Sequence, residues 1–209
     1  METEPLPAFK LANSFMRMTL EAFQDELGEN GLNVLLNYAE LYYLVDNMPL
    51  NNLEHEISFK HYSAIQAALV AIYGVRTANT FSFRAGRTLY EKGLNRYGAL
   101  GGLTSNQFQA LPELERVELS LYALAKVLNS LSNQNAVVRK RLDRWYLIFN
   151  NCPVCWGLST DEPICSISRG IITATLETAA NESDFVVEQA QSHSAGDQAC
   201  IFGITKNTA

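Results

Sequence analysis

Three of the chain's four cysteines fall within CPVCWGLSTDEPIC, residues 152 to 165, and the fourth, Cys200, follows 35 residues later in GDQACIFGI. Cys152-Pro-Val-Cys155 has the spacing that supplies half of many structural metal sites, because two thiolates on one tight turn can face the same ion. With Cys165 and Cys200 added the pattern is C-x2-C-x9-C-x34-C, which is no standard zinc-ribbon spacing. Three chemistries stay open. The four thiolates could hold a zinc ion, with His193 as a spare nitrogen donor. They could be small buried hydrophobes, as free cysteines often are. Two of them could form a redox pair, although that chemistry prefers Cys-x-x-Cys at a helix start after a strand, and Pro153, Gly157 and Pro163 break this loop.

The remaining residues exclude more than they assign. Sixteen basic and 22 acidic side chains leave a net charge of −6, so no basic surface dominates and nucleic acid is not the expected partner. The short run Arg139-Lys140-Arg141, with Arg144 beyond, reads as a solvated face. The opening METEPLPAFK lacks the apolar stretch of a secretory signal, and no apolar run is long enough to span a membrane. A cytoplasmic location with reduced thiols is the expectation. No G-x-G-x-x-G opens a βαβ unit and there is no phosphate-binding loop, so no nucleotide cofactor is expected. His55, His61 and His193 are far apart, and nothing assembles a nucleophile, a base and an oxyanion donor. Catalysis is disfavoured.

Apolar spacing sets the elements that must position the thiols. Phe9, Phe15, Met16, Leu20, Phe23 and Leu27 predict an amphipathic helix over 9–27, and LNVLLNYAELYYLV a second over 32–45. The excess apolar area of that second segment reads as core or as a homodimer face. Helices follow over 58–73, 75–98, 111–132 and 164–179, with Gly86 in mid-helix implying close approach of another element or a ligand. VVRKRLDRWYLIF (137–149) reads as a strand or hairpin arm, and 185–191 and 199–205 as two strands. The fold class is α+β: N-terminal helices on a small, mostly antiparallel twisted sheet, with one helix inserted near the C-terminus. One domain is expected over 1–209, as a helical extension (9–57) and a core (58–205).

CPVC, then PICSISRG opening a helix, then a strand, then Ser192-x-x-x-Gly196-Asp197-x-x-Cys200-x-Phe202 is an order of motifs that resembles the 4-vinyl reductase, or hydrocarbon-binding, domain family. That family shares its fold with the TRAPP tethering subunits. AIYGVRTANTFSFRAGRTLYEKGL is similar to the family's glycine-arginine helix pair, and the resemblance spans roughly residues 60–205. It implies a ligand-binding module with a zinc ion beside an apolar pocket, held by three cysteines and a glutamate. Cys165 and Cys200 match two ligand positions; Ser192 and Gln189 stand at the other two, with Glu188 one place out of register.

The expected function is a cytoplasmic domain that binds a hydrophobic or aromatic small molecule in a regulatory or accessory role, with a partner protein for any signalling. Trp145, Tyr146, Phe149, Trp156 and Phe202 are the expected pocket residues, or else core filling. Cys152, Cys155, Cys165 and Cys200 are the expected metal ligands. The alternatives are an assembly scaffold akin to the tethering subunits, or a non-catalytic accessory factor in tetrapyrrole vinyl reduction.

Overall fold

A computed structural model describes residues 8–97, 101–142, 144–180 and 185–207. It is α+β, as expected. Strand β1 (Lys10–Ala12) leads into helix α1 (Asn13–Tyr38), and β2 (His55–Ser58) leads into the long helix α2 (Phe59–Tyr97). A short α3 (Asn106–Gln109) precedes α4 (Glu113–Leu131). Strands β3 (Ala136–Arg141) and β4 (Arg144–Phe149) form a hairpin. Helix α5 (Ser166–Ala180) intervenes before β5 (Phe185–Gln191) and β6 (Cys200–Lys206).

The first two expected helices meet at a kink, where the backbone leaves helical geometry. Gly28 sits at φ +72 inside α1, a left-handed conformation that glycine alone adopts without strain. Gly74, at φ +75, bends α2 in the same way between the expected 58–73 and 75–98 segments. The segment 32–45 is helical only to Tyr38, followed by a single 3₁₀ turn at Tyr42–Leu44. Its apolar residues divide: Leu32, Leu35, Leu36, Leu41 and Leu44 are buried in the chain's own core, while Val34, Tyr38, Tyr42 and Tyr43 are exposed. The two-stranded pairing of β1 with β2 was not anticipated, being only three or four residues long. It ties the start of the chain to the end of α4, where Asn133 donates its amide to the Lys10 carbonyl at 3.0 Å.

The main sheet runs β3-β4-β6-β5 and is antiparallel throughout. Alternation along each strand turns Val138, Trp145, Leu147, Phe149, Phe202 and Ile204 to one buried face, where α4 and α5 pack. Buried residues from Leu11 to Ile204 join one hydrophobic cluster, so both the expected extension and the expected core contribute to it. Arg116, almost fully buried, donates to the carbonyls of Ala179 (2.6 Å), Gln109 (3.0 Å) and Leu111 (3.2 Å), pinning α4 to the end of α5 and the turn after α3. No helix among the described residues is long and apolar enough to cross a membrane.

The tightest contact in the core joins α2 to α5. A Cβ on Gly86 would overlap the carbonyl of Ile167, and a Cβ on Gly170 would overlap the carbonyl of Phe83. The helices therefore touch backbone to backbone, which accounts for a glycine in mid-helix. Gly86→Ala is expected to destabilise the fold by about 3 kcal/mol and to lower Tm by roughly 6–12 °C. Gly93→Ala on the same helix, where a Cβ meets nothing, is expected to be neutral or stabilising by up to about 1 kcal/mol. Calorimetry of both variants checks this, and equal losses would remove the close-contact explanation.

Candidate functional site

The four cysteines come together. Cys152 and Cys155 lie on the loop leaving β4, Cys165 directly precedes α5, and Cys200 opens β6. All four are free and buried. Each has a local reason for its place. After Phe149 the chain is held to the segment before β3 by Asn151, whose amide donates to the Gln134 carbonyl (3.0 Å) and whose side chain donates to the Asn133 carbonyl (2.9 Å). Gly157, at φ +73, then turns the loop back, and the Leu158 amide closes on the Cys155 carbonyl at 3.1 Å. The carbonyl of Cys165 accepts the amides of Ser168 (3.1 Å) and Arg169 (3.3 Å), so this cysteine caps the start of α5. Cys165 thus stands at the N-terminus of α5.

The Sγ–Sγ separations are 3.6 Å for Cys152–Cys165, 3.4 Å for Cys155–Cys200 and 3.8 Å for Cys165–Cys200, and all four sulfurs lie within 4.8 Å of one another. Four thiolates bonded at about 2.3 Å to a tetrahedral ion stand about 3.8 Å apart. The electrostatics differ from one sulfur to the next. Hydrogen bonds from Cys152, Cys155 and Cys165, joined by the His193 amide at 3.4 Å, hold the Cys200 thiol far below its ordinary range. Burial pushes Cys152 well up, reinforced by its hydrogen bonds to the other three sulfurs. Cys165 is lowered by its bond with Cys152, but bonds to Cys155 and Cys200 together with burial raise it overall.

The other carried-over positions stay outside. Ser192 is buried and its hydroxyl pairs with Ser194 at 3.0 Å. Gln189 donates to the Gln191 carbonyl at 3.3 Å, and Glu188 is exposed on the opposite face of its strand. His193 sends its Nε2 to the Asn150 carbonyl at 2.8 Å, so the spare donor is turned away to the backbone.

The five expected pocket aromatics do not converge. Trp145, Phe149 and Phe202 fill the inner face of the sheet, where Trp145 packs edge-on against Phe185 and Phe149 against Phe202. Tyr146 points to the opposite face. Trp156 stands apart between Phe9 and Phe59. Alternation in β4 turns Trp145 and Tyr146 to opposite faces. An apolar cavity lies among the helices. It is lined by Phe15, Met18, Leu89, Leu124, Leu128 and Ile171 among others, and has a volume of about 40 Å³. Sequence reading identifies these residues as helix faces, but a small void between faces leaves no mark in spacing.

No family model matches the sequence, and no curated protein matches it. Solved structures do match. The Fe(II) unliganded H-NOX protein from K. algicida is 13% identical, over 95% of this chain and 98% of that one, with a TM-score of 0.55. The IWP-051-bound H-NOX from Shewanella woodyi, in the Fe(II)CO state, is 15% identical over 93% and 94%, with a TM-score of 0.54. An H-NOX protein from S. oneidensis, in the Fe(II)NO ligation state, is 10% identical over 92% and 99%, with a TM-score of 0.51. The fold is the H-NOX fold. This overturns the resemblance to 4-vinyl reductase and tethering-subunit domains, which rested on motif order without a match over the whole architecture. It also overturns the expectation of zinc as cofactor, because the neighbours sharing the H-NOX fold are named for Fe(II) and heme.

Heme does not fit the residues of this chain. His55 faces the Ser130 carbonyl (3.2 Å), His61 bonds Tyr43 (3.0 Å) and His193 faces the Asn150 carbonyl, and none of the three lines the cavity among the helices. The sulfurs that could serve as axial ligands are packed against one another. The helix-lined cavity is about 40 Å³, against roughly 300–1,000 Å³ for sites that hold a cofactor-sized ligand. Protein expressed with a heme-precursor supplement is expected to purify without a Soret band and to show no saturable one on hemin titration. A one-to-one Soret complex would show that the interior opens to admit the macrocycle.

Proposed function

We propose that this chain is a small-molecule-binding domain of sensory or accessory type, without catalytic activity, organised around a four-thiolate site for one soft metal ion. The observation that carries the reading is the convergence of Cys152, Cys155, Cys165 and Cys200 at near-tetrahedral sulfur spacings away from water. A thiolate buried among thiols is costly unless a cation shares the site. A soft ion bonded to all four sulfurs would neutralise that charge and clip three separate elements, the β4–α5 loop, the start of α5 and the start of β6.

The second part of the reading is a small hydrophobic ligand in the helix-lined cavity. That cavity is walled by carbon, and Ile171 in its wall lies six residues along α5 from Cys165. One helix thus carries both the metal ligand and the cavity wall. Occupation of the cavity and the geometry at sulfur would be coupled through α5, with a partner protein reading the result. A role as homodimer would use the exposed Val34, Tyr38, Tyr42 and Tyr43. Sedimentation is expected to show a dimer that Tyr38→Glu/Tyr42→Glu reduces to monomer, and a wild-type monomer at high micromolar concentration would remove it.

Cobalt(II) titration of reduced protein tests the metal site. One equivalent is expected to give the intense visible absorption of a tetrahedral tetrathiolate, and Cys155→Ser is expected to lose it. Binding must displace the protons of at least the two raised thiols, Cys152 and Cys165. Affinity should therefore fall by roughly a hundredfold for each unit that pH drops below neutrality, tenfold per proton. Because the ion binds only folded protein, adding it at a thousandfold excess over Kd should stabilise by about 4 kcal/mol. Unchanged spectra, or equal metal content in wild type and Cys155→Ser, would leave the cysteines as packing residues.

A further inference from the structure

The four-stranded sheet has a second face, and its residues do not suit water. α4 and α5 pack on the inner face, and among the described residues no helix covers the outer one. Antiparallel sheets with one free face normally alternate polar residues outward. Here the two central strands turn Tyr146, Ile148 and Ile201 outward, each half-exposed, with Tyr146 opposite Gly203 and Ile148 opposite Ile201. These side chains floor a groove of about 810 Å³, whose bank is formed by the cationic strand β3.

The charges beside this floor are unusual in two ways. Lys140 and Lys206 at the margins of the sheet are committed to Glu118 and Glu113, yet Arg139, Arg141 and Arg144 have no carboxylate partner among the described residues. Register places Arg141 directly opposite Arg144, with Arg139 opposite Tyr146. A like-charge pair facing across two strands is destabilising, in a chain whose net charge is −6 and which has carboxylates to spare. The fold thus keeps three guanidinium groups without a carboxylate partner among the described residues along one side of an apolar stripe. The carboxylate on this face, Glu188, lies across the sheet on β5.

We propose that the open face of the four-stranded sheet docks an acidic amphipathic α-helix of a partner protein. The apolar side of the helix lies on Tyr146, Ile148 and Ile201, and its carboxylates meet Arg139, Arg141 and Arg144, which are exposed and can pair bidentately. The shape selects the occupant. A cylinder of about 10 Å diameter and two helical turns fills roughly the volume of the groove, whereas a flat bilayer would reach the rim and leave the concave floor uncovered. The area offered is that of one sheet face, which suits a transient complex of the small class.

The test uses a synthetic amphipathic peptide of about 14 residues, roughly four turns, with glutamates on one face and leucines on the other. It is titrated into the whole protein by calorimetry and by amide NMR. Expected are saturable binding, shifts centred on β4 and β6, and an affinity that falls with salt. Arg139→Glu/Arg141→Glu, checked for native circular dichroism, is expected to weaken binding at least roughly tenfold. Arg144→Glu is a second reversal at the turn, should the double variant fail to fold. Equal binding by a peptide with lysines for glutamates, or by a scrambled glutamate peptide, would overturn the proposal. So would absence of peptide binding, whether or not vesicles of phosphatidylserine and phosphatidylcholine bind; vesicle binding alone would assign the face to a lipid surface.

Discussion

The contact between Gly86 and Gly170 sets the spacing of everything around it. Two helices normally stand 8–10 Å apart because side chains separate them; here the absence of two Cβ atoms lets the backbones of α2 and α5 meet. With α5 drawn in this far, its N-terminus brings Cys165 to the loop after β4 and to the first residue of β6. The next turns of the same helix carry Ile167 and Ile171 into the core beneath the sheet. Arg116 fixes the far end by donating to the carbonyl of Ala179. One helix held at both ends therefore connects the thiols, the apolar interior and the sheet. A change at Gly86 would move all three.

The sulfurs show why proximity alone is not a resting arrangement. Burial penalises any thiolate, yet the hydrogen bonds that converge on Cys200 favour one. Cys152 and Cys165 are pushed up by burial and by hydrogen bonds from neighbouring sulfurs, while the bonds on Cys200 lower it. Here the loop's asparagine bonds, the capping position of Cys165 and the His193 amide each aim a sulfur at the same point.

Much of this was legible from spacing. The Cys-x-x-Cys turn, with Cys165 at a helix start and Cys200 on a strand, placed four donors at three element ends. Gly86 announced a close approach because alanine is the better helix former wherever space allows. Other features were not legible. The pairing of β1 with β2 is too short to show a period. Alternation turns Trp145 and Tyr146 to opposite faces of β4, and an aromatic count summed across faces does not register that separation. The motif order that pointed to another domain family lies in loops and element ends, which different folds can share.

The likeness to H-NOX structures at 10–15% identity separates what shape requires from what chemistry requires. The element order depends on where apolar stripes, turns and small residues fall, and many sequences meet those conditions. An axial ligand and a void for a macrocycle depend on a few particular residues. This chain keeps the first set and lacks the second: its histidines bond to carbonyls and a tyrosine at the periphery, and the space among its helices is taken up by Phe15, Met18, Leu89 and Leu128. Its concentrated chemistry lies instead at the junction of loop, α5 and β6, where four sulfurs meet. Scaffold and site chemistry are thus written in different residues, and the cysteines belong to the second group.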